Sequence, residues 1–395
     1  MRAVVLAILV SAASVSAQPV DDRVVELVTM GNGALIWERH GHVAICVTRD
    51  GLVSSIEQPD PNDGCFNYGI AGFANPAGMI WGFLRGTKSF WVGKDRTDDV
   101  ERYEDSDRTV WVQRLPVTPA QTAAMVAKLE TDIEEEHRFY AYDHFTDNCT
   151  TRIRNIIDNV TDHALSSMTE ATGDKTFRDY ARDGFAGMTV PLIATDLIAG
   201  RTTDRVPTYY ERMFLPQYLR EAVQKKWGVK AVPLYERDEC RGNADPSCAD
   251  HGIPTPPSGS GRLWFALAIV VLTAPVWLAR RFGRLQRTGL AISILPYWIL
   301  GTALTALAII SPLPYFRWNE LPLVWLPIDL VTVFLSPARQ QRYAKARIAM
   351  LVVIALLRVI HVLRQPLWVP LLWPLIPMVT LAVRSRRPSD REAAA

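Results

Sequence analysis

The chain has little net charge, few histidines and few cysteines. Lysine and arginine together number 43 against 41 acidic residues, and the resulting net charge of +2 over 395 residues indicates no nucleic-acid partner. Only 7 histidines and 5 cysteines are present, and no cluster of His, Cys or Asp has metal-ligand spacing. The sequence therefore predicts no metal site and no cofactor. It also lacks internal repeats, and its length suits about two domains.

Long uncharged apolar runs are nearly absent between the first residues and Arg262, and they are frequent after it. The start itself combines Met1-Arg2, an apolar run at 3–10 and the small-x-small sequence Val15-Ser16-Ala17. This pattern is typical of a secretory signal cleaved after Ala17; the alternative is an uncleaved anchor, and both imply export. We predict a signal peptide at 1–17, an extracytoplasmic domain at 18–232, a Pro/Gly/Ser-rich linker at 233–262 and a transmembrane helical domain at 263–395.

The apolar runs of the last third predict an all-α transmembrane bundle of about five helices. The candidate spans are 263–279, 288–311, 322–335, 346–363 and 367–383. Basic clusters follow the first, third and fifth spans: Arg280, Arg281, Arg284 and Arg287; Arg339, Arg342, Lys345 and Arg347; Arg384, Arg386, Arg387 and Arg391. By the positive-inside rule these segments and the C-terminus are cytoplasmic, so residues 18–262 lie outside, in agreement with the signal sequence.

A single cysteine follows a short polar segment and opens an amphipathic helical pattern. Cys149 follows Asp147 and Asn148, and apolar residues recur after it at 153, 156, 157 and 160. We expect Asp147 to cap the helix. Unpaired N–H groups and the positive end of the helix dipole are expected to stabilise a Cys149 thiolate and lower the thiol pKa. The alternative is an inert, buried cysteine on an ordinary helix face.

Export makes the other cysteines informative, because disulfides persist in an oxidising compartment. Cys240 and Cys248 flank a polar turn and form a plausible disulfide, and Cys46 and Cys65 could also pair. These two pairs would leave Cys149 as the one free thiol, as a nucleophile requires.

Strands and helices alternate irregularly in the exported part, which indicates an α+β fold. Short strands are predicted at 24–30, 42–48 and 65–70, and His42 begins the second. A helix is predicted from about Pro119 to Arg138, with Thr118 as its cap and Gln121 completing a capping box. Shorter helices are predicted around 177–182 and 209–226.

Several short motifs occur in a characteristic order: Gly41-His42, Asn67-Tyr68-Gly69, Tyr140-x-Tyr142-x-x-Phe145-x-Asp147-Asn148-Cys149 and Phe214-Leu215-Pro216. In this order they resemble proteins that carry the Lnb N-terminal periplasmic domain, over most of residues 24–224. Trp318-Asn319-Glu320-Leu321 loosely resembles an Asn-containing loop of the membrane region that usually follows that domain.

The resemblance implies a circularly permuted papain-like thiol fold, similar to NlpC-type peptidases and lecithin:retinol acyltransferase. It further implies a lipoprotein intramolecular acyltransferase in the bacterial inner membrane, with its catalytic domain in the periplasm. The implied partners are diacylglyceryl-modified lipoproteins or phospholipid, together with the bilayer.

The chemistry of the matched residues suits acyl transfer. His42 would act as the base for Cys149, and the thiolate would attack an ester carbonyl and form an acyl-thioester that an amine then accepts. The Cys149 N–H, with the Asn148 side chain, would stabilise the oxyanion. Asn67 is the candidate for orienting the imidazole, although it could simply end a strand. His40, in the turn before the strand, is the rival base, and we expect His144 to be a surface or cap residue.

Some charged residues suit a substrate or membrane role. Arg152 could bind phosphate or carboxylate, although a solvated surface arginine is the alternative. Asp329 and Arg358 lie inside apolar spans, roughly 10 Å deep, and we hypothesise that they pair, with His361 one turn nearer the exterior. Such a pair would either fix helix packing or serve a lipid headgroup or substrate.

The sequence leaves competing functions open. The leading prediction is a membrane-anchored thiol acyltransferase that acts on lipoproteins or lipids, because an enzyme working on an acyl chain must receive it from the bilayer. The alternatives are a cysteine peptidase or amidase of the cell envelope, and a non-catalytic envelope module that binds a lipid or a partner.

Overall fold

The structure, a computed structural model, describes residues 21–72, 74–254 and 261–383. The predicted signal peptide at 1–17, residues 255–260 of the predicted linker and the last predicted basic cluster, at Arg384, Arg386, Arg387 and Arg391, lie outside the described residues.

The first part of the chain is built on one antiparallel sheet of seven strands, in the order β6-β4-β3-β2-β1-β5-β7. The strands are β1 Val24–Met30, β2 His42–Thr48, β3 Gly64–Ala71, β4 Phe90–Asp95, β5 Val110–Arg114, β6 Phe139–Tyr140 and β7 Val232–Tyr235. The two predicted strands at 24–30 and 42–48 are confirmed at these bounds, and the third is one residue longer at each end. With the surrounding helices, the sheet confirms the α+β class.

Helices surround this sheet. They are α1 Leu52–Glu57, α2 Pro76–Leu84, α3 Glu101–Asp105, α4 Pro119–Ile133, α5 Cys149–Val160, α6 Phe177–Gly184, α7 Thr189–Ile198, α8 Tyr209–Arg212, α9 Pro216–Trp227 and α10 Pro246–His251. Short 3-10 turns occur at Ile36–Glu38, Thr97–Val100, Arg201–Thr203 and Asp238–Cys240. The Thr118–Gln121 capping box is confirmed, but α4 ends before residue 138. Pro216 lacks an N–H, so the predicted helix at 209–226 is broken into α8 and α9.

The sheet buries apolar side chains on both faces because successive residues of a strand point to opposite sides. Val43, Ile45 and Val47 of β2 pack in one core with α4, α5 and α9. Ala44 and Cys46 pack in the other, with Leu52 of α1 and Val100. Helix α5, which begins with Cys149, is therefore held directly against β2 and β3.

Much of the predicted linker is folded. Strand β7 pairs with β5, and the backbone of α10 is tied to the sheet domain: Asn32 N donates to His251 O at 2.8 Å, and the Arg220 guanidinium donates to Asp250 O at 2.9 Å. Residues 233–254 therefore extend the domain rather than separating it from the helices that follow.

The remaining residues form a helical region with its own core around Tyr297, Trp325 and Leu351. Its elements are α11 Arg262–Phe282, α12 Gln286–Ile310, α13 Pro314–Arg317, α14 Leu321–Val324, a 3-10 run at Pro327–Phe334, α15 Pro337–Val359 and α16 Trp368–Ala382.

Among the described residues, two helices, α11 and α12, are long and apolar enough to cross a membrane. The predicted third span is instead broken at its prolines into α14 and the 3-10 run. The fourth, α15, carries Arg339, Arg342, Lys345 and Arg347 in its first half, and the fifth, α16, has only 15 residues, or about 22 Å of helix. By length and composition, two of the five predicted spans could therefore cross a membrane, and the predicted five-helix bundle is not confirmed.

Backbone hydrogen bonds join the helical region to the sheet domain at the end of α7. Gly200 N donates to Tyr315 O at 2.7 Å, and the Asn319 amide donates to Leu197 O at 2.7 Å. Gln365 Nε2 donates to Asp196 O at 3.2 Å, from the loop before α16. The loop after α12 is thereby held against the C-terminal end of α7 in the sheet domain.

Candidate functional site

Cys149 is the first residue of α5, and Asn148 caps the helix. The Asn148 Oδ1 accepts a hydrogen bond from Thr151 N at 2.9 Å, and the Thr151 hydroxyl accepts one from Asn148 N at 2.8 Å. The prediction that Asp147 caps the helix is wrong. Asp147 does not cap because its carboxylate accepts hydrogen bonds from the Arg152 guanidinium, at 2.6 and 2.9 Å. Its backbone pairs with that of Asp143.

The two predicted disulfides are present. Cys46 bonds to Cys65 across β2 and β3, and Cys240 bonds to Cys248 before the helical region. All five cysteines lie within the described residues, and Cys149 is the free one. The thiol at the helix start is therefore the one available for chemistry.

The thiol lies where the ladder between β2 and β3 opens. The last paired residues are Ala44 and Asn67, and beyond them Gly69 adopts a φ of +81°, which diverts β3 and favours glycine. A Cβ on Gly69 would lie 3.5 Å from Cys149 Cβ. Here the Val43 backbone N–H lies near enough to the sulfur to act on the Cys149 pKa, which it lowers. The close approach of helix and sheet thus explains the Asn-Tyr-Gly motif.

His42 and Asn67 form a side-chain pair beside this gap. His42 Nε2 lies 3.0 Å from Asn67 Oδ1, and Asn67 Nδ2 donates to Asp95 Oδ2 at 3.0 Å. Because an amide oxygen accepts, Nε2 carries the proton and Nδ1 is left with a lone pair. The expected role of Asn67, to fix the imidazole tautomer, is compatible with this geometry.

Burial governs protonation at the site. It lowers the pKa of His42 to about 4, with a further contribution from the nearby Arg108 guanidinium, so the imidazole is neutral at neutral pH. Burial also raises the pKa of the Cys149 thiol above its ordinary value of 9.0, although N–H groups at the helix start act in the opposite direction. The predicted lowering of the Cys149 pKa is therefore wrong, because desolvation outweighs the helix terminus.

The resting site thus holds a neutral thiol and a neutral imidazole. Within the described part of the chain, Cys149 Sγ forms no direct hydrogen bond with an imidazole; its side-chain partner is the Thr150 hydroxyl at 3.7 Å. Val43, whose N–H lowers the Cys149 pKa, directly follows His42. His42 therefore lies one residue along β2 from a backbone group that acts on the thiol.

A cavity of about 460 Å³ opens onto Cys149 and is lined mainly by apolar side chains. Its walls come from the 3-10 turn at Ile36–Glu38, from α2, from α7 and from the loop after α12. Large apolar and aromatic side chains in these walls include Trp37, Ile80, Ile198, Phe214, Tyr315 and Phe316. A thiol in the wall of an apolar cavity suits a substrate with a long hydrocarbon chain.

Two further histidines line the cavity. His40 lies in the turn before β2, as predicted, and its Nε2 donates to Ala181 O at 2.9 Å. His144 packs edge-on against His40, with ring centres 4.7 Å apart, and burial lowers its pKa to about 3. The prediction that His144 is a surface or cap residue is wrong. His42 is not among the residues lining the cavity, so His40 remains a rival base on position alone.

Both N–H groups of the Asn148 side-chain amide already donate hydrogen bonds within the protein. Its two hydrogens are donated to His144 O at 2.7 Å and Phe214 O at 2.8 Å. The expected role of this side chain as an oxyanion donor is therefore wrong; it anchors the Phe214-Leu215-Pro216 motif beneath the helix start. Arg152 is also occupied, by Asp147 and by the Tyr140 ring, over which it stacks at 3.6 Å.

A tyrosine hydroxyl that sequence reasoning missed lies near the nucleophile. The Tyr140 hydroxyl lies 3.6 Å from the position of a Gly69 Cβ, the same point that lies 3.5 Å from Cys149 Cβ. The hydroxyl is buried and has no hydrogen-bond partner among the described residues. Tyr140 belongs to a matched motif, but its role depends on the pairing of β6 with β4, which the sequence did not reveal.

The charged residues of the helical region pair differently from the prediction. Asp329 pairs with Arg347 at 3.0 Å and accepts hydrogen bonds from Tyr343 at 2.7 Å and Tyr297 at 3.3 Å. The predicted Asp329–Arg358 pair is wrong: Arg358 Nε instead donates to the backbone oxygen of Gln365 at 2.9 Å. His361 lies in the turn after α15, with a φ of +59°. These residues do not line the cavity at Cys149.

Among residues 21–72, 74–254 and 261–383, no group of three or more His, Cys, Asp or Glu side chains could hold a metal ion.

Comparison with known proteins finds one family. Residues 15–181 match the sequence profile described as the Lnb N-terminal periplasmic domain. No curated protein and no solved structure matches the chain.

Proposed function

The chain carries the Lnb N-terminal periplasmic domain over residues 15–181, and from this premise we propose that it is a membrane-anchored thiol acyltransferase. It would move an ester-linked acyl chain of a diacylglyceryl-modified bacterial lipoprotein onto an amine. The observation that carries the proposal is the largely apolar cavity whose lining includes the one free thiol. The permuted papain-like arrangement of the domain, the inner-membrane location and the periplasmic site are parts of the same proposal.

In the first half-reaction, the Cys149 thiol gives its proton to His42 Nδ1 as the sulfur attacks the ester carbonyl. The carbon–oxygen bond then breaks, and His42 returns the proton to the departing glyceryl oxygen. The products are an acyl-thioester on Cys149 and a lyso-lipid. Concerted proton removal is needed because the thiol is neutral at rest.

In the second half-reaction, an amine attacks the thioester carbonyl and gives a proton to His42. The carbon–sulfur bond breaks, and the proton passes to the Cys149 sulfur, which restores the free enzyme. The product is an amide, which is more stable than the ester consumed. No cofactor enters either step.

The oxyanion of both tetrahedral intermediates needs fixed donors. The backbone N–H of Cys149 stands at the helix start, where the first N–H groups have no intrahelical partner. The Tyr140 hydroxyl is the second donor in this proposal, because it is buried near the nucleophile and donates to no side chain or backbone oxygen among the described residues. These two groups replace the Asn148 side chain in the proposal.

The test follows the position of the acyl chain. The purified full-length protein is incubated with a diacylated lipopeptide, and products are fragmented by mass spectrometry. We expect the wild type to give a lyso-lipid with an N-acylated amine, and Cys149→Ser and His42→Ala to give none. His137→Ala, which changes an exposed histidine, is the matched control and should behave as the wild type.

Other outcomes separate the competing functions. Release of peptide fragments would indicate a peptidase or amidase, and free fatty acid without transfer would indicate a hydrolase. Full cellular function of the Cys149→Ala variant would show that the domain binds its partner without catalysis.

A further inference from the structure

An apolar helix lies on the surface beside the cavity, with nothing from the described chain covering it. Helix α2 has the sequence PAGMIWGFL, without a charged or strongly polar side chain, yet Gly82 is its one buried residue. Ile80 is 51% exposed and Trp81 is 52% exposed. A helix that is apolar on all sides is normally surrounded by a core or by lipid. The exposed side chains of α2 therefore indicate that the helix is surrounded by an apolar medium that the described chain does not provide.

The apolar surface of α2 continues onto the outer end of a membrane-crossing helix. Phe83 and Leu84 of α2 pack in one cluster with Leu307 of α12 and with Phe316, and the Phe83 and Phe316 ring centres are 5.9 Å apart. Ile309 and Ile310, the last residues of α12, are exposed there. The C-terminal end of α2 therefore lies beside the C-terminal end of α12.

The wall of the cavity formed by α7 also adjoins a membrane-crossing helix, α11. Helix α7 packs beside Gly261, next to the start of α11, and Asp196 accepts a hydrogen bond from the Arg262 guanidinium at 3.0 Å. Val190 of α7 is 75% exposed, and Trp264 in the first turn of α11 is 65% exposed. Tryptophan at the end of a span is typical of the membrane–water interface. Both walls of the cavity thus meet the outer ends of the membrane-crossing helices.

Charge favours an anionic lipid surface. Arg85 and Lys88 follow α2, and residues 65–94 contain no Asp or Glu; the third cation of this range, Lys94, is paired with Glu130 at 3.3 Å. Arg85 follows α2 directly and lies 5.9 Å from the Trp81 ring centre. Basic and aromatic residues flanking an apolar helix match a layer of lipid phosphates above acyl chains.

We infer that α2 lies in the outer leaflet of an anionic phospholipid bilayer and that the cavity at Cys149 opens between α2 and α7 into that leaflet. An ester-linked acyl chain can then enter sideways from lipid, without crossing water. The contact of α2 with the membrane does not depend on the proposed function, whereas the route by which an acyl chain enters rests on it. The apolar helix α2, the exposed residues of α7 and the cavity between them form a single opening towards the membrane.

The test measures which solvent surrounds α2 in the full-length protein. Cys149→Ser removes the free thiol, so a nitroxide label at Ile80→Cys is site-specific. The labelled protein is reconstituted in vesicles of phosphatidylethanolamine and phosphatidylglycerol. Collision rates are then measured by electron paramagnetic resonance with oxygen, which concentrates in lipid, and with a water-soluble nickel chelate. Ala77→Cys gives a second position on α2, and Val53→Cys, an exposed apolar residue on α1, is the matched control.

We expect oxygen collisions to exceed nickel collisions several-fold at positions 77 and 80, and the reverse at position 53. Nickel collisions at positions 77 and 80 equal to those at position 53 would overturn the inference, and so would low collision rates with both reagents, which would mean that protein covers α2. The readout needs no catalysis. Activity is measured separately on the protein that retains Cys149. A water-exposed α2 together with an active Cys149 protein refutes the inference alone, and a lipid-exposed α2 together with an inactive Cys149 protein refutes the proposed function alone.

Discussion

The imidazole of His42 is held by Asn67, with Nε2 3.0 Å from the amide oxygen. This contact leaves Nδ1 as the nitrogen that can accept a proton. Removing the amide should affect the protonation of the base as well as its orientation.

Replacing Asn67 by alanine tests this relationship. We expect kcat for acyl transfer to fall at least about tenfold, because the imidazole loses its fixed tautomer. The hydrogen bond to Asn67 raises the pKa of His42, so its loss should move the acid limb of the pH–rate profile to lower pH. Asn62→Ala, at an exposed asparagine, is the control. An unchanged kcat, or an acid limb that moves upward, would contradict the role given to Asn67.

The Tyr140→Phe variant tests the second oxyanion donor. Removing one donor from an oxyanion site should reduce kcat roughly 10²- to 10³-fold, with little change in KM. The rate of Cys149 alkylation by iodoacetamide should stay the same, since the ground-state thiol does not need the hydroxyl. A variant that retains wild-type kcat would exclude the Tyr140 hydroxyl from the chemistry.

The protonation state of Cys149 can be measured by alkylation. Burial raises the thiol pKa above 9.0, so the thiolate fraction should increase roughly tenfold per pH unit through the neutral range. Inactivation by iodoacetamide should follow this slope, while Cys149→Ser, which has no free thiol, incorporates no label. A rate that is constant down to acidic pH would instead show a preformed thiolate–imidazolium pair.

The buried charges of the helical region give a stability prediction. Asp329 is fully buried and Arg347 is 3% exposed at its side chain, so Arg347→Ala should leave an unpaired carboxylate and cost about 3–5 kcal/mol of unfolding free energy. Arg358→Ala should cost about 1 kcal/mol, because it loses one bond to a backbone oxygen.

Denaturant unfolding in detergent measures both variants. The double variant Asp329→Ala, Arg347→Ala should recover part of the loss, since it removes both charges. An Arg358→Ala variant less stable than Arg347→Ala would favour the pairing first expected from the sequence.

The sequence predicted the parts of this site that depend on local pattern. Alternating apolar residues placed β1 and β2 at their observed bounds, and the Cys149 helix start, both disulfides and the His42–Asn67 contact followed from spacing and the matched motifs. Each of these features is fixed by residues close in sequence or on neighbouring strands.

The features missed by the sequence depend on tertiary packing. The pKa of Cys149 is set by burial beneath β2 and β3, and the Tyr140 hydroxyl reaches the site through the pairing of β6 with β4. Asp329 meets Arg347 because prolines break the third predicted span into short turns, which changes the residues that face each other. Tyr315, which lines the cavity at Cys149, likewise comes from a part of the chain far from Cys149 in sequence.

The acyl-thioester is the central claim of this account, and it can be trapped. A diacylated lipopeptide whose amino group is acetylated can donate its acyl chain but cannot accept it. After incubation with the full-length protein and proteolysis, mass spectrometry should show the peptide containing Cys149 heavier by one acyl group, with an equal amount of lyso-lipid, and hydroxylamine should remove the adduct. Lyso-lipid formed at the wild-type rate, with Cys149 unmodified and with the Cys149→Ser variant equally active, would contradict a cysteine nucleophile.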